Sequence, residues 1–249
     1  MPMFTRIILT LTLLLASPLA SAERYRVESP DYRVPVVELY TSEGCSSCPP
    51  ADAWVGQLIR VPKDDLDALV LALHVDYWDR LGWKDRYASP EYTQRQRQLV
   101  RQNRQTSIYT PEFLVDGRET QGTRRIIKRI KAANRETAPL RLQLDIERRP
   151  DALELTLNSP QAKGKPWKAR FVVYEDGLAT EVESGENAGQ RLEHDRVVRH
   201  FGPALPLAGG LTRTIPLSPE WQSGRLGVGV MVEDESGRPL QALDFPFPS

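Results

Sequence analysis

The sequence predicts two folded units, an α/β domain followed by an all-β, sandwich-like domain. Up to residue 138, short apolar runs alternate with segments of helical spacing. After Pro139, apolar and polar residues alternate along the chain, as they do in half-buried strands. The 249 residues leave room for both units, and 33 basic residues balance 33 acidic ones. This balance gives no reason to expect nucleic acid as a partner.

The first 22 residues have the features of a secretory signal peptide. Arg6 precedes an apolar run over 7–15, and Ala20-Ser21-Ala22 supplies the small residues of a cleavage site. The run is shorter than the about 20 apolar residues that a membrane-spanning helix needs. We therefore expect a mature chain from Glu23 that is periplasmic or secreted and is not membrane-spanning after cleavage.

In the first unit, residues 23–138, the sequence predicts strands that alternate with helices. Pro49 and Pro50 mark a first helical turn, where the missing N–H of proline costs nothing. The unbroken apolar run of the second strand is typical of a parallel strand buried on both faces. The expected elements are strands at Val36–Tyr40, Leu69–Val75 and Glu112–Val115, and helices from Pro49, over Glu91–Gln105 and over Thr123–Arg135.

In the second unit, residues 139–249, the sequence predicts strands separated by turns. Asp176-Gly177 lies between two apolar runs and predicts a hairpin there. Several short strands with turns between them favour a sandwich of two sheets. The expected strands are Leu140–Ile146, Leu153–Leu157, Trp167–Glu175, Leu178–Glu183 and Leu226–Val232.

The two cysteines of the chain both lie in Cys45-Ser46-Ser47-Cys48. A disulfide between them closes a very small loop and can stabilise the fold only slightly, so a role in chemistry is favoured. A strand, this motif and then a helix is the thioredoxin arrangement, and we expect the first unit to be a thioredoxin-like domain. The positive end of a helix stabilises a thiolate. Cys45, the first and the more exposed of the two, is therefore the expected nucleophile, and Cys48 is the thiol that resolves a mixed disulfide.

Two further positions fit this arrangement. Thr110-Pro111 directly precedes a strand, where thioredoxin-like folds place a cis-proline beside the cysteines, and we expect these residues to bind an extended partner chain. Glu38 interrupts an apolar strand, and a buried unpaired carboxylate is costly. Either it relays protons to Cys48 as a third catalytic residue, or an arginine or solvent satisfies it.

The segment after the second strand supplies candidates for the wall of the site. If the first two strands are parallel, Asp76, Tyr77 and Trp78 reach the edge that carries Cys45, and ligands bind at such edges. We expect these three residues to contact the substrate. Trp83, further along the segment, is a fourth candidate for the wall, and the alternative for Trp78 and Trp83 is packing of a long connection.

Several motifs together resemble the DUF1223 family of exported thioredoxin-like proteins. The resemblance implies a thioredoxin-like domain fused to a β domain, and it names no substrate. The matching motifs are Val37–Asp52, His74–Asp79 with Leu81-Gly82-Trp83, Tyr109-Thr110-Pro111, and Gly185–Gly189 followed by His194 and Val197–Arg199.

The resulting hypothesis is an exported thiol-disulfide oxidoreductase with a redox-active disulfide, protein thiols or disulfides as partners, and no cofactor or resident metal. Two alternatives remain open. One is a copper(I) metallochaperone that adds His74 to the two cysteines. The other is a redox-inert interaction module. The loop Glu186–Gly189 either covers the cysteines or makes a purely structural contact. The basic residues of the last predicted helix, which would serve an interaction module, are Arg124, Arg125, Lys128, Arg129 and Lys131.

Overall fold

The computed structural model describes residues 22–248 and corrects the expected fold class. The protein is mostly β, with three sheets and about 20% helix, so the expectation of a thioredoxin-like α/β domain followed by an all-β sandwich is wrong. Strands from both sides of residue 138 share the largest sheet. Local periodicity predicts that a segment is a strand, but it carries no information on which distant strand pairs with it. The predicted signal peptide lies outside the described residues, except for Ala22.

Residues 22–248 form fifteen strands, three α-helices and three short 3-10 helices. The strands are β1 (Glu23–Glu28), β2 (Val36–Thr41), β3 (Leu69–His74), β4 (Glu112–Val115), β5 (Arg118–Glu119), β6 (Gln143–Arg148), β7 (Ala152–Asn158), β8 (Lys168–Glu175), β9 (Leu178–Glu181), β10 (Arg191–His194), β11 (Val197–Phe201), β12 (Leu205–Pro206), β13 (Gly210–Pro216), β14 (Leu226–Glu233) and β15 (Pro239–Pro246). The helices are α1 (Pro49–Leu58), α2 (Pro90–Gln102) and α3 (Thr123–Ala133), and the 3-10 helices are Asp76–Leu81, Pro160–Ala162 and Ser223–Arg225.

The largest sheet has the order β15-β14-β8-β11-β3-β2-β4-β5, with β12 paired to β8. β2 and β3 are parallel, β11 is parallel to β3, and β4 is antiparallel to β2. The carboxyl ends of β2 and β3 and the start of β4 therefore meet at one edge. The smaller sheets have the orders β1-β6-β7-β13 and β10-β9.

Most predicted elements are confirmed to within a few residues, but the expected hairpin at Asp176-Gly177 is wrong. β8 pairs with β11, β12 and β14, whereas β9 pairs with β10. The backbone N–H of Asp176 donates to Arg225 O (2.9 Å), and its Oδ1 accepts from the N–H of Arg196 (2.7 Å). These bonds tie the turn to the segments that directly precede β14 and β11, and the chain leaves the large sheet there.

The two faces of the large sheet carry different helices. Val37 and Leu39 of β2 pack in one apolar cluster with residues of α1 and α3. Val36 and Tyr40 point the opposite way and pack in a cluster with α2. The β1-β6-β7-β13 sheet packs against the β8, β14 and β15 end, and each fully buried Leu or Val there stabilises the fold by about 1.5–3 kcal/mol. Within 22–248, no helix has the length and apolar character needed to cross a membrane.

Candidate functional site

Cys45 and Cys48 are joined by a disulfide at the start of α1. β2 ends at Thr41, and the turn that follows brings the N–H of Cys45 to the carbonyl of Ser42 (3.1 Å). Cys48 occupies the N-cap position of α1, and Pro49 begins the helix. The predicted order of strand, cysteine pair and helix is therefore present locally, and the pair lies where the ends of β2 and β3 meet.

Both cysteines are fully buried, with 0% of either residue exposed. The expectation that Cys45 is the more exposed of the two is therefore wrong in the disulfide form. Ser46 and Ser47 are exposed instead. A disulfide sulfur carries no hydrogen, so the Ser47 hydroxyl is the donor in its 3.4 Å contact with Cys45 Sγ.

A loop from the second half of the chain contacts the cysteine segment, and we call 184–187 the covering loop. Glu186 Oε2 accepts a hydrogen bond from the Ser46 N–H (3.1 Å). Asn187, which is 1% exposed, donates from Nδ2 to Glu43 O (2.8 Å) and Cys45 O (3.0 Å). The loop therefore lies against the cysteine segment, and its control of access to the cysteines stays a prediction.

The covering loop is anchored on its other side by the segment after the 3-10 helix Asp76–Leu81. Ser184 Oγ donates to Gly82 O at 2.6 Å. Gly185 has a φ of +79°, and a Cβ atom there would lie 3.0 Å from Trp83 Cβ. A side chain at this position is therefore disfavoured both by the backbone conformation and by the close tryptophan.

Trp78 and Thr110 form a second wall. Trp78 Nε1 donates to Thr110 Oγ1 at 2.8 Å, and a Cβ added to Gly44 would lie 3.1 Å from Trp78 Cβ. The Thr110–Pro111 peptide bond is cis, as predicted. Trp78, Thr110 and Pro111 are each half-buried, so they offer a partly exposed surface beside the buried disulfide.

Asp76 points away from this wall, whereas Tyr77 lies beside it, with its ring 6.4 Å from the Trp78 ring. Asp76 Oδ1 accepts from Thr93 Oγ1 of α2 at 2.5 Å. Tyr77 packs against the apolar cluster that contains α2, and burial raises its pKa to about 12. Both residues thus follow β3 at the expected edge. The Asp76 side chain faces α2, whereas the Tyr77 ring lies next to Trp78.

Glu38 lies on the face of the large sheet that carries α2, whereas α1 packs on the other face. Arg95 donates to it twice, from Nε to Oε1 (2.5 Å) and from Nη2 to Oε2 (3.2 Å). Tyr40 donates its hydroxyl to Glu38 Oε1 (3.3 Å), and Arg95 also approaches Glu233 (3.4 Å). The alternative in which an arginine satisfies Glu38 therefore fits this geometry. A proton relay to Cys48 would require Glu38 to lie beneath α1, whereas Glu38 lies on the other face of the sheet.

Asp52 lies behind Cys48, and the sequence alone did not indicate a role for it. Its backbone N–H donates to Cys48 O at 3.1 Å, and its carboxylate accepts from Thr41 Oγ1 at 3.0 Å. Asp52 is only 6% exposed. Burial raises the pKa of the Asp52 carboxyl, against an opposing effect of His194 and His74. The spacing of four residues between Cys48 and Asp52 could have indicated that their side chains are close, because residues i and i+4 share a helix face.

A buried histidine–carboxylate pair lies next to this acid. His74 Nδ1 is 2.7 Å from Asp85 Oδ2, and both side chains are fully buried. Burial alone would lower the pKa of His74, but the nearby Asp85 charge outweighs it and raises that pKa. The same attraction overcomes the effect of burial on Asp85 and lowers the pKa of its carboxyl. The two shifts together describe an imidazolium–carboxylate pair.

Glu43 and His194 form a second buried pair, which brings the two halves of the chain together. His194 Nε2 lies 3.4 Å from Glu43 Oε1, and Trp83 Nε1 donates to Glu43 Oε2 at 2.8 Å. The rings of His74 and His194 are 5.0 Å apart. Within residues 22–248, neither ring nitrogen of His194 has a hydrogen-bond partner in good geometry.

The copper alternative requires His74 to join the two cysteines. His74 Nδ1 is engaged by Asp85, and the cysteines are engaged with each other. Among the described residues, no group of three or more His, Cys, Asp or Glu side chains is placed to hold a metal ion. The copper site therefore stays a prediction that this arrangement does not favour.

The motifs that resemble DUF1223 lie together at this site. The family described as "Protein of unknown function (DUF1223)" matches residues 36–233. The chain belongs to the DUF1223 family. The matched range holds the cysteines, the covering loop, Trp78 and both buried histidine pairs. No curated protein has a matching sequence.

Two solved structures are similar to this DUF1223 protein. A crystal structure of a protein of Agrobacterium tumefaciens from a structural genomics consortium has 26% identity and a TM-score of 0.61, and the match covers 87% of this chain and 96% of that one. HBP35 of Porphyromonas gingivalis has 17% identity and a TM-score of 0.63, with 86% of this chain and 75% of that chain covered. At that identity, the second likeness concerns the fold alone.

Proposed function

We propose that this DUF1223 protein is an exported thiol-disulfide oxidoreductase that exchanges its Cys45–Cys48 disulfide with protein thiols. The observation that carries the proposal is the place of the disulfide. It lies at the first turn of α1, beside a wall of Trp78 and Thr110–Pro111, with the buried acid Asp52 behind it. A pair that closes so short a loop contributes little to stability, which favours a chemical role.

The substrate in this proposal is an extended chain that carries a thiol or disulfide. The half-buried Thr110 and Pro111 precede β4, and their backbone is the expected contact for such a chain. Because Cys45 is fully buried in the disulfide form, the covering loop has to move before a protein thiolate reaches it. The chemistry therefore includes a conformational step that uncovers Cys45.

The reduction potential tests the function directly. We expect the disulfide to equilibrate with glutathione or dithiothreitol buffers at a potential between about −270 and −120 mV, the range of catalytic dithiols. Trp78, which lies next to Gly44, supplies a fluorescence signal, and alkylation followed by mass spectrometry counts the free thiols. A potential below about −300 mV is typical of structural disulfides and would contradict the proposal.

Capture of the partner gives a second test. In Cys48→Ser, a mixed disulfide at Cys45 has no internal thiol to resolve it, so partner proteins should accumulate on this variant. Cys45→Ser is the matched control, because it keeps one thiol but lacks the proposed nucleophile. Equal yields from the two variants would argue against Cys45 as the attacking residue.

Export is tested on the mature protein. We expect the purified native chain to begin at Glu23 and to be found in the periplasmic or secreted fraction. Intact-mass measurement after fractionation checks both points. A cytoplasmic chain that still begins at Met1 would overturn the export part of the proposal.

A further inference from the structure

The position of Asp52 places a buried acid next to the thiol that leaves when the disulfide opens. Cys48 and Asp52 are four residues apart, at the N-cap and in the first turn of α1, so their side chains lie on one helix face about 5–6 Å apart at Cβ. The Asp52 N–H bond to Cys48 O (3.1 Å) confirms the helical relation. Both residues are buried, so no bulk water competes for the space between them.

Groups on the elements around Asp52 set its charge. β2 contributes the Thr41 hydroxyl, which donates to Asp52 Oδ2 (3.0 Å). β10 contributes His194 and β3 contributes His74, and both favour the ionised carboxylate, whereas Asp85 opposes it. Glu43 lies beyond His194, with its Oε1 atom 3.4 Å from His194 Nε2. The neighbouring groups thus stabilise the ionised carboxylate of Asp52, whereas burial stabilises its neutral form. A group that gains and loses a proton needs both effects.

A groove leads from Asp52 to solvent, and neither the covering loop nor Trp78 is among its lining residues. It lies between α1 and β10, has a volume of about 440 Å³, and is lined by Asp52, Gly56, Arg60, Leu192 and His194 among others. The covering loop and Trp78 lie on the Cys45 side of the disulfide. Protons can therefore enter and leave through this groove while a partner chain occupies the Cys45 side.

We propose that Asp52 is the proton donor and acceptor for Cys48, with His194 as the positioning residue that faces it across the groove. The inference rests on the proposed function. When a partner thiolate attacks Cys45 Sγ, its lone pair forms the new S–S bond, and the electron pair of the Cys45–Cys48 bond leaves on Cys48 Sγ. The Asp52 carboxyl then protonates that sulfur.

The reverse reaction uses the same atoms. The Asp52 carboxylate removes the proton from the Cys48 thiol, and the thiolate attacks Cys45 Sγ of the mixed disulfide. The Cys45–Cys48 bond forms, and the partner sulfur leaves with the electron pair of the mixed disulfide. The proton passes from Asp52 to water in the groove. No oxidant or reductant beyond the partner's own thiol or disulfide is needed.

The test measures the reaction of each cysteine as a separate kinetic step. Reduced protein is mixed with dithiobis(nitrobenzoate). Attack by Cys45 releases one nitrothiobenzoate, and attack by Cys48 on the mixed disulfide releases the second. In Asp52→Asn, we expect the first release to keep its wild-type rate and the second to be about 100-fold slower at pH 7. The difference should vanish at high pH, where Cys48 ionises without help.

Two further variants guard against a purely structural effect. Asp67→Asn is the matched control, because Asp67 is also 6% exposed with a raised pKa but bonds to Tyr32, away from the cysteines. It should leave both releases unchanged. Thr41→Val removes a donor to the Asp52 carboxylate, which raises the pKa of Asp52 further, so the pH profile of the second release should move to higher pH.

The outcomes distinguish the two proposals. Two fast releases from both the wild type and Asp52→Asn, with the same pH profile, would refute the role of Asp52 and leave the oxidoreductase proposal standing. If the reduced wild type makes no second release at any pH, the pair does not resolve mixed disulfides, and the proposed function fails together with this inference.

Discussion

The His74–Asp85 pair shows how one buried contact couples stability to pH. The folded-state pKa of His74 is raised above 6.5 and that of Asp85 is lowered below 3.8. The His74 contribution is complete below its unfolded pKa and is lost as the pH rises through the folded pKa. The Asp85 contribution is present above its unfolded pKa and is lost as the pH falls through the folded pKa. The pair therefore contributes fully between about pH 4 and 6.5.

We expect His74→Gln to lower the free energy of unfolding by about 3 kcal/mol at pH 5, because one partner of a buried pair is removed and the other stays buried. The loss should shrink as the pH rises from 6.5 through the raised folded-state pKa of His74, because the unfolded chain releases this proton before the folded chain does. Urea unfolding at pH 5, 7 and 9 measures this. His200→Gln is the control, because burial lowers the pKa of His200, so the effect of its removal should be smaller and should change with pH in the opposite sense to that of His74→Gln. A constant loss across the three pH values for His74→Gln would contradict the ion-pair description.

The covering loop is the element that we expect to decide access to Cys45. Asn187→Ala removes two hydrogen bonds and leaves the carbonyls of Glu43 and Cys45 without their donor. An unsatisfied buried group costs about 1–3 kcal/mol, so opening of the loop becomes easier by that amount. Because 1.4 kcal/mol is a factor of ten, we expect reduction of the disulfide by a small dithiol to be about 5- to 100-fold faster. Stopped-flow tryptophan fluorescence measures the rate.

Asn103→Ala is the matched control for the loop. Asn103 Nδ2 also donates to two carbonyls, those of Leu99 (2.8 Å) and Gly117 (2.7 Å), at the end of α2. It should lower stability to a similar extent and leave the rate of disulfide reduction unchanged. If both variants accelerate reduction equally, the effect is general loosening of the fold and the loop is not the barrier.

The large sheet explains which features could be predicted from the sequence. Local sequence patterns located β2, β3, β4 and the three helices, because each pattern is set by neighbouring residues. The arrival of Trp78 at the edge that carries Cys45 followed from the rule that parallel strands end at one edge, whereas Thr110 was expected there from the thioredoxin arrangement. The partner of Glu43 is His194, 151 residues away, and the partner of Glu38 is Arg95 on a different element. Such contacts depend on the order of strands in the sheet, which local patterns do not report.

The order of strands also decides whether the two halves of the chain fold separately. β3 is an interior strand only because β11 pairs with it, and the apolar cluster beneath α2 is completed by Tyr174, Val198, Met231 and Ala242 from the second half. A fragment of residues 23–138 would expose β3 as an unpaired edge and lose those contacts. We therefore expect this fragment to be unfolded by circular dichroism. The chain from 23 to 249 should unfold in one calorimetric transition, with equal calorimetric and van't Hoff enthalpies. A fragment that unfolds cooperatively, with Cys45 and Cys48 still protected from alkylation after reduction, would show that the first half is an independent domain and that the second half only docks onto it.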